Sequence, residues 1–162
     1  MIVVSDTSPL CNLALIDHLW LIKAIYQTVI IPELVADELA VATNPAIPNL
    51  LQLDWIQTQS LSDTAIANQL PQDRGLDAGE ANAIALALEL QADDLLMDER
   101  LGRREALQLG LSIIGVLGIV VAVKQRSLIP QVQPIMDALI YQAGFRVSSQ
   151  LYQRVLNLSN EA

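Results

Sequence analysis

Residues 77–98 read DAGEANAIALALELQADDLLMD, and the change of pattern inside this stretch decides the fold. Small and branched apolar residues recur at helical spacing from Ala78 to Leu90, which predicts a helix over 77–91. Leu95-Leu96-Met97 is apolar throughout and too short for a helix, so it reads as a buried strand ending at Asp98. Working outward, Ile2-Val3-Val4, Val29-Ile30-Ile31 and Ile113-Ile114 repeat the short apolar run, and Trp55-Ile56-Gln57 reads as an edge strand. Ser8-Pro9 supplies a cap and a first-turn proline for one helix, Asp17 caps a second, and Pro32 opens a third over 33–40. Residues 60–75 are more polar and helical in part, with Pro71 and Gly75. Residues 103–109 form a helix, and two or three more follow Val116, punctuated by Pro130, Pro134 and Gly144. Short buried strands alternating with helices predict an α/β fold with a mostly parallel sheet. In such sheets ligands bind beyond the carboxyl ends of the strands.

Composition narrows the chemistry. The chain of 162 residues, 52% apolar and 17% charged, suits one globular domain spanning 1–162. Cys11 and His18 stand alone, which excludes a disulfide framework, a zinc site of several Cys or His ligands, and two-histidine acid–base chemistry. A net charge of −9 has the wrong sign for gripping nucleic acid by electrostatics alone. One Phe, two Trp and three Tyr leave little for base stacking. The start has no basic region of a signal peptide. The uncharged run 106–123 contains Gln108, Ser112 and three glycines, so it is not read as a membrane span. A cytoplasmic protein without a membrane partner is the expectation.

Carboxylates, hydroxyls and backbone remain. Asp6 and Asp98 each follow a strand, although an aspartate there is often only a turn former. On a helical wheel with Leu34 at the origin, Val41 falls at about 340°, Glu38 at about 40° and Val35 at about 100°. Glu38 therefore points out of the apolar stripe, where a carboxylate needs a partner, a proton or a cation. Glu80 lies between Ala87 and Ile84 on its own helix. There Asp77-x-x-Glu80 also reads as a capping box, and the two readings stand evenly. Four acids converging at one end of a sheet repel and raise one another's pKa. Mg²⁺ or Mn²⁺, which prefer hard oxygen ligands, would relieve them and leave positions for phosphate oxygens.

The ordered set Asp6-Thr7-Ser8, Glu38 after Ile30-Ile31-Pro32, Gly79-Glu80-Ala81-Asn82-Ala83-Ile84 and Leu96-Met97-Asp98-Glu99-Arg100 resembles the PIN-domain nucleases. It is most similar to a compact prokaryotic, VapC-like branch. The segments Leu101 to Ala106, Ile114 to Gly118 and Gly144 to Ser148 extend the similarity over nearly the whole chain. The resemblance implies a three-layer PIN-like fold with a central, mostly parallel sheet flanked by helices. It implies a metal-dependent ribonuclease that hydrolyses single-stranded RNA, the toxin of a toxin–antitoxin pair with an antitoxin partner. Asp6, Glu38, Glu80 and Asp98 would then be catalytic and hold Mg²⁺ or Mn²⁺, with Ser8 steadying Asp6 or a water. Arg100, Arg103 and Arg104 would contact phosphate, or would be solvated helix surface paired with Glu99 and Glu105. The family's third acid is usually Asp where this chain has Glu80, and Leu96 stands where a hydroxyl is common. Asp94 and Glu99 compete with Asp98 for the fourth position. Those departures, with the acidic surface, support an alternative: a catalytically weak or inactive PIN-like module that binds a protein. A receiver-like domain fits poorly, since Asp6 lacks an acidic neighbour. The apolar C-terminal helices predict a homodimer.

Overall fold

A computed structural model describes residues 1–70 and 75–162, so Pro71 of the polar segment lies outside the described residues. Five strands form one all-parallel sheet. In chain order they are β1 (Val3–Ser5), β2 (Val29–Pro32), β3 (Ile56–Gln59), β4 (Asp94–Leu96) and β5 (Ile113–Ile114). Their spatial order is β3-β2-β1-β4-β5. The chain winds outward from β1 through β2 to β3, then returns to the other side of β1 for β4 and β5. The order therefore reverses between β1 and β4, which makes that junction the switch point where open parallel sheets bind ligands. Asp6 and Asp98 follow these two strands.

The helices are α1 (Thr7–Leu15), α2 (Trp20–Tyr26), α3 (Glu33–Ala40), α4 (Ala65–Gln69), α5 (Ala78–Glu89), α6 (Arg100–Gln108), α7 (Val116–Gln125), α8 (Gln133–Gln142) and α9 (Ser149–Leu158). A 3-10 turn covers Pro48–Gln52. Alternation along each strand splits the apolar residues between two layers. Val3, Val29, Ile31 and Leu96 join Leu10, Leu13, Ile22 and Val120 in the larger core. Val4, Leu95 and Met97 join Ala83, Ile84 and Leu86 of α5 in the smaller one. The three-layer α/β arrangement expected from the resemblance is the one observed. Val4 and Asp6, two residues apart at the end of β1, both belong to the side covered by α5.

Several boundaries differ from the sequence expectation. The first helix begins at Thr7, with Asp6 rather than Ser8 at the capping position, and the Asp6 side chain makes no capping bond. Asp17 does not cap α2. Its φ of 59° turns the chain after α1, its N–H donates to the Ala14 carbonyl at 3.0 Å, and α2 starts at Trp20. His18 lies in the same turn, its Nδ1 2.6 Å from the Ile16 carbonyl oxygen. The helix expected over 103–109 starts at Arg100, because Glu99 in extended conformation provides its capping position. The long uncharged run is divided between the end of α6, β5 and α7. Among the described residues no helix is long and apolar enough to cross a membrane.

Candidate active site at the carboxyl end of the sheet

Asp6 stands at the centre of the sheet's carboxyl edge. Its backbone N–H donates to the Leu96 carbonyl at 3.0 Å, extending the β1–β4 ladder by one rung. The residue is 4% exposed. Burial pushes the carboxyl up to about 7 against the pull of the Thr7 backbone N–H, and the charges of Asp77, Glu38 and Glu99 push the same way.

Glu38 reaches this edge from α3, which packs against α1 and α5. The Thr7 hydroxyl donates to Glu38 Oε2. On the other side the carboxylate lies against the backbone of α5: a Cβ on Gly79 would sit 2.5 Å from Glu38 Oε1. Glycine at 79 thus leaves room for the close approach of the Glu38 carboxylate, and its own dihedrals do not call for it. The apolar face of α3 is Val35 and Leu39, while Val41 is 80% exposed. Glu38 is consequently half-buried on the shoulder of the stripe, not in its middle. The wheel overstated its burial because it counted Val41, which lies past the end of the helix, as core.

Glu80 is 5% exposed, and both sequence readings of it coexist. Its N–H donates to Asp77 Oδ1 at 2.7 Å, and the Asp77 N–H donates to Glu80 Oε2 at 3.2 Å, which closes a capping box. Burial nevertheless raises the carboxyl to about 7, with the Asp77 charge next; Asp6 and Glu99 add to it, and the Asp77 N–H opposes. Asp98 is held at the start of α7. Its Oδ1 accepts from the Val116 N–H at 3.0 Å, and a Cβ on Gly115 would come within 2.5 Å of that oxygen. Burial raises its pKa, the Val116 N–H and the Arg103 guanidinium lower it, and Glu99 raises it. Asp98 Oδ2 is buried without a hydrogen-bond partner among the described residues.

A family profile described as PIN domain matches residues 2–161. The chain is a PIN domain. No curated protein and no solved structure matches it significantly. PIN domains are in general nucleases, which act on nucleic acid by hydrolysis and typically use divalent metal ions.

This PIN domain brings Asp6, Glu38 and Glu80 into mutual electrostatic reach through Asp6, and Asp98 joins them through Glu99. Among the described residues, however, no three His, Cys, Asp or Glu side chains stand close enough to hold an ion in the arrangement seen. The competing acid Asp94 lies at the opposite end of β4, where it accepts from the Tyr26 hydroxyl at 2.8 Å and the Ser112 hydroxyl at 2.7 Å. Ser8 does not steady Asp6, since its Oγ is buried without a hydrogen-bond partner among the described residues. The hydroxyl that does hold an acid is Thr7, one residue earlier in the same turn, and it holds Glu38. Arg103 is internal to the site: its Nη1 donates to the Met97 carbonyl at 2.9 Å, and its charge acts on Asp98. Arg100 and Arg104 are exposed on α6. Asp77 and Glu99 are the acids the sequence reading underrated, since the first registers only as a helix cap and the second only as a neighbour of Asp98. The signal for Asp77 was available in its spacing to Gly79 and Glu80.

Proposed function

We propose that this PIN domain is a metal-dependent endoribonuclease that hydrolyses phosphodiester bonds of single-stranded RNA, and that it is the toxin of a toxin–antitoxin pair. The observation that carries the reading is that Glu38 and Glu80 both lie within electrostatic reach of buried Asp6 beside the switch point of the sheet, with Asp6 and Glu80 both raised to about 7. A fold under selection for stability alone gains nothing from burying acids of like charge together. The donor set consists of hard carboxylate oxygens, and one of them, Asp98 Oδ2, is buried without a hydrogen bond. That chemistry fits Mg²⁺ or Mn²⁺. Asp6, Glu38, Glu80 and Asp98 would hold the ion.

When bound, such an ion polarises the scissile phosphate and makes a nucleophile of water near neutral pH. The chain's own residues prepare the site. Thr7 holds Glu38 from one side and the Gly79 backbone borders it on the other. The Val116 N–H holds Asp98 Oδ1, and the charge of Arg103 favours the ionised form of that acid. Asp6 and Glu80 retain protons over part of the neutral range, so cation uptake releases protons and strengthens as pH rises. Incubation with unstructured and duplex RNA in Mg²⁺ or Mn²⁺ tests the reading, with EDTA and Asp6→Asn as controls. Cutting of the unstructured strand alone, lost in both controls, is expected; cutting that persists in either removes the mechanism.

A second reading is a weak or inactive module that binds a protein partner. It is favoured by the capping box, which occupies one oxygen of Glu80, and by the spread of the acids. Titration with Mn²⁺ separates the two, because this reading needs no carboxylate-dependent uptake. An antitoxin and a second copy of the chain complete the proposed partners. Leu151 and Leu158, exposed beside α7, give apolar surface for the homodimer, and light scattering at micromolar concentration checks it.

A further inference from the structure

Beside Asp98 the molecule opens into two adjoining cavities of about 420 and 370 Å³, within the range of roughly 300–1,000 Å³ typical of ligand sites. Asp98, Phe145 and Arg146 border both. Arg103 lines the first and Asn12 the second. Phe145 and Arg146 belong to the link between α8 and α9, where Gly144 turns the chain at φ 70° and the Phe145 N–H anchors it to the Leu139 carbonyl at 2.9 Å. Phe145 is the one phenylalanine of the sequence. It is half-buried: part of the ring packs on the larger core while the residue borders both cavities. Arg146 is exposed and makes no ion pair among the described residues.

We propose that this groove seats one nucleotide of the single-stranded substrate next to the cut, its base stacked on Phe145 and its phosphate paired with Arg146. The inference rests on the ribonuclease reading. A strand approaching these acids meets repulsion from a chain of net charge −9, so it needs a cation where it leaves the acids. Arg103 is bonded to the Met97 carbonyl and its charge acts on Asp98, whereas exposed Arg146 has no ion pair among the described residues and can take that place. A phenylalanine ring binds any base by its face, but only a base that is not already stacked in a duplex. The groove therefore selects single strands without reading their sequence.

Fluorescence anisotropy of a labelled oligouridine, measured with Asp6→Asn protein so that no strand is cut, tests it. Phe145→Leu keeps the apolar packing and removes the stacking face; it weakens binding on the order of tenfold, and Phe145→Tyr restores it. Arg146→Ala weakens binding and lowers the salt slope by about one phosphate contact. If Phe145→Leu and Arg146→Ala bind as their parent does, with an unchanged slope, the groove is refuted while the ribonuclease reading stands. If the parent binds no single strand and the wild type cuts none, both fall together.

Discussion

Glu38 shows how much of this site is held by residues that carry no charge. Its carboxylate is fixed between the Thr7 hydroxyl and the Cα of Gly79. Gly79→Ala would place a methyl carbon 2.5 Å from Oε1, and the Glu38 carboxylate would have to shift. The expected result is a loss of cleavage and of Mn²⁺ affinity of about 10–100-fold, the range seen when the groups orienting a metal ligand are removed, with circular dichroism unchanged. Thr7→Val removes only the donated hydrogen bond and should cost about tenfold by the same measure. Activity surviving Gly79→Ala intact would mean that Glu38 has no part in the chemistry. Asp6→Asn should abolish cleavage and yet stabilise the cation-free protein at pH 8. Asp6 is buried and raised from 3.8 to about 7. Its ionisation in the fold therefore costs on the order of 4 kcal/mol at about 1.36 kcal/mol per unit. A lower melting temperature for Asp6→Asn at pH 8 in EDTA would contradict the burial argument.

Among elements, α5 carries the most information and also the most ambiguity. Asp77 caps it and is the largest neighbouring charge on both Asp6 and Glu80. Asp77→Asn keeps an oxygen for the cap and removes the charge, so urea denaturation at pH 5 should change little, within about 0.5 kcal/mol. At pH 8 in EDTA the variant should be the more stable one, since Asp6 and Glu80 then ionise against less repulsion. Equal effects at both pH values would leave only the cap. The periodicity of 78–90 and the apolar run at 95–97 were legible because helix and strand here differ in residue type as well as period. The starts of α1 and α6 were not, because they are set by extended backbone at Asp6 and Glu99, whose side chains make no capping bond, and α2 starts only after the turn at Asp17, with Leu19 at its capping position. Sequence order singled out the four acids, and spacing paired Asp77 with Glu80 as a cap, but neither gave Thr7 as the partner of Glu38 nor the charges of Asp77 and Glu99 on Asp6. Those contacts come from the β1–β4 junction and from the packing of α3 on α5, which are tertiary facts.

At the scale of the whole molecule the buried acids tie stability to pH, and on the proposed reading to cations as well. Asp6 and Glu80 hold protons more tightly folded than unfolded. Their contribution is therefore full below about pH 4, near the unfolded values, and is lost as pH rises through about 7. The metal-free protein should show a falling melting temperature between about pH 5 and 8, from these groups. Mg²⁺ or Mn²⁺ should restore it, and by more at pH 8 than at pH 5, because ligands must lose their protons to bind. A melting temperature that is flat over that interval and indifferent to the cation would separate the acidic cluster from the fold's energetics.

Calorimetric titration of Mn²⁺ into the intact chain at pH 7.5, in two buffers of different ionisation enthalpy, reaches the central claim most directly. The account predicts binding accompanied by proton release, abolished by Asp6→Asn and weakened by Gly79→Ala. Heats that are absent, or that the Asp6→Asn protein reproduces, would show that these carboxylates meet for some reason other than a cation.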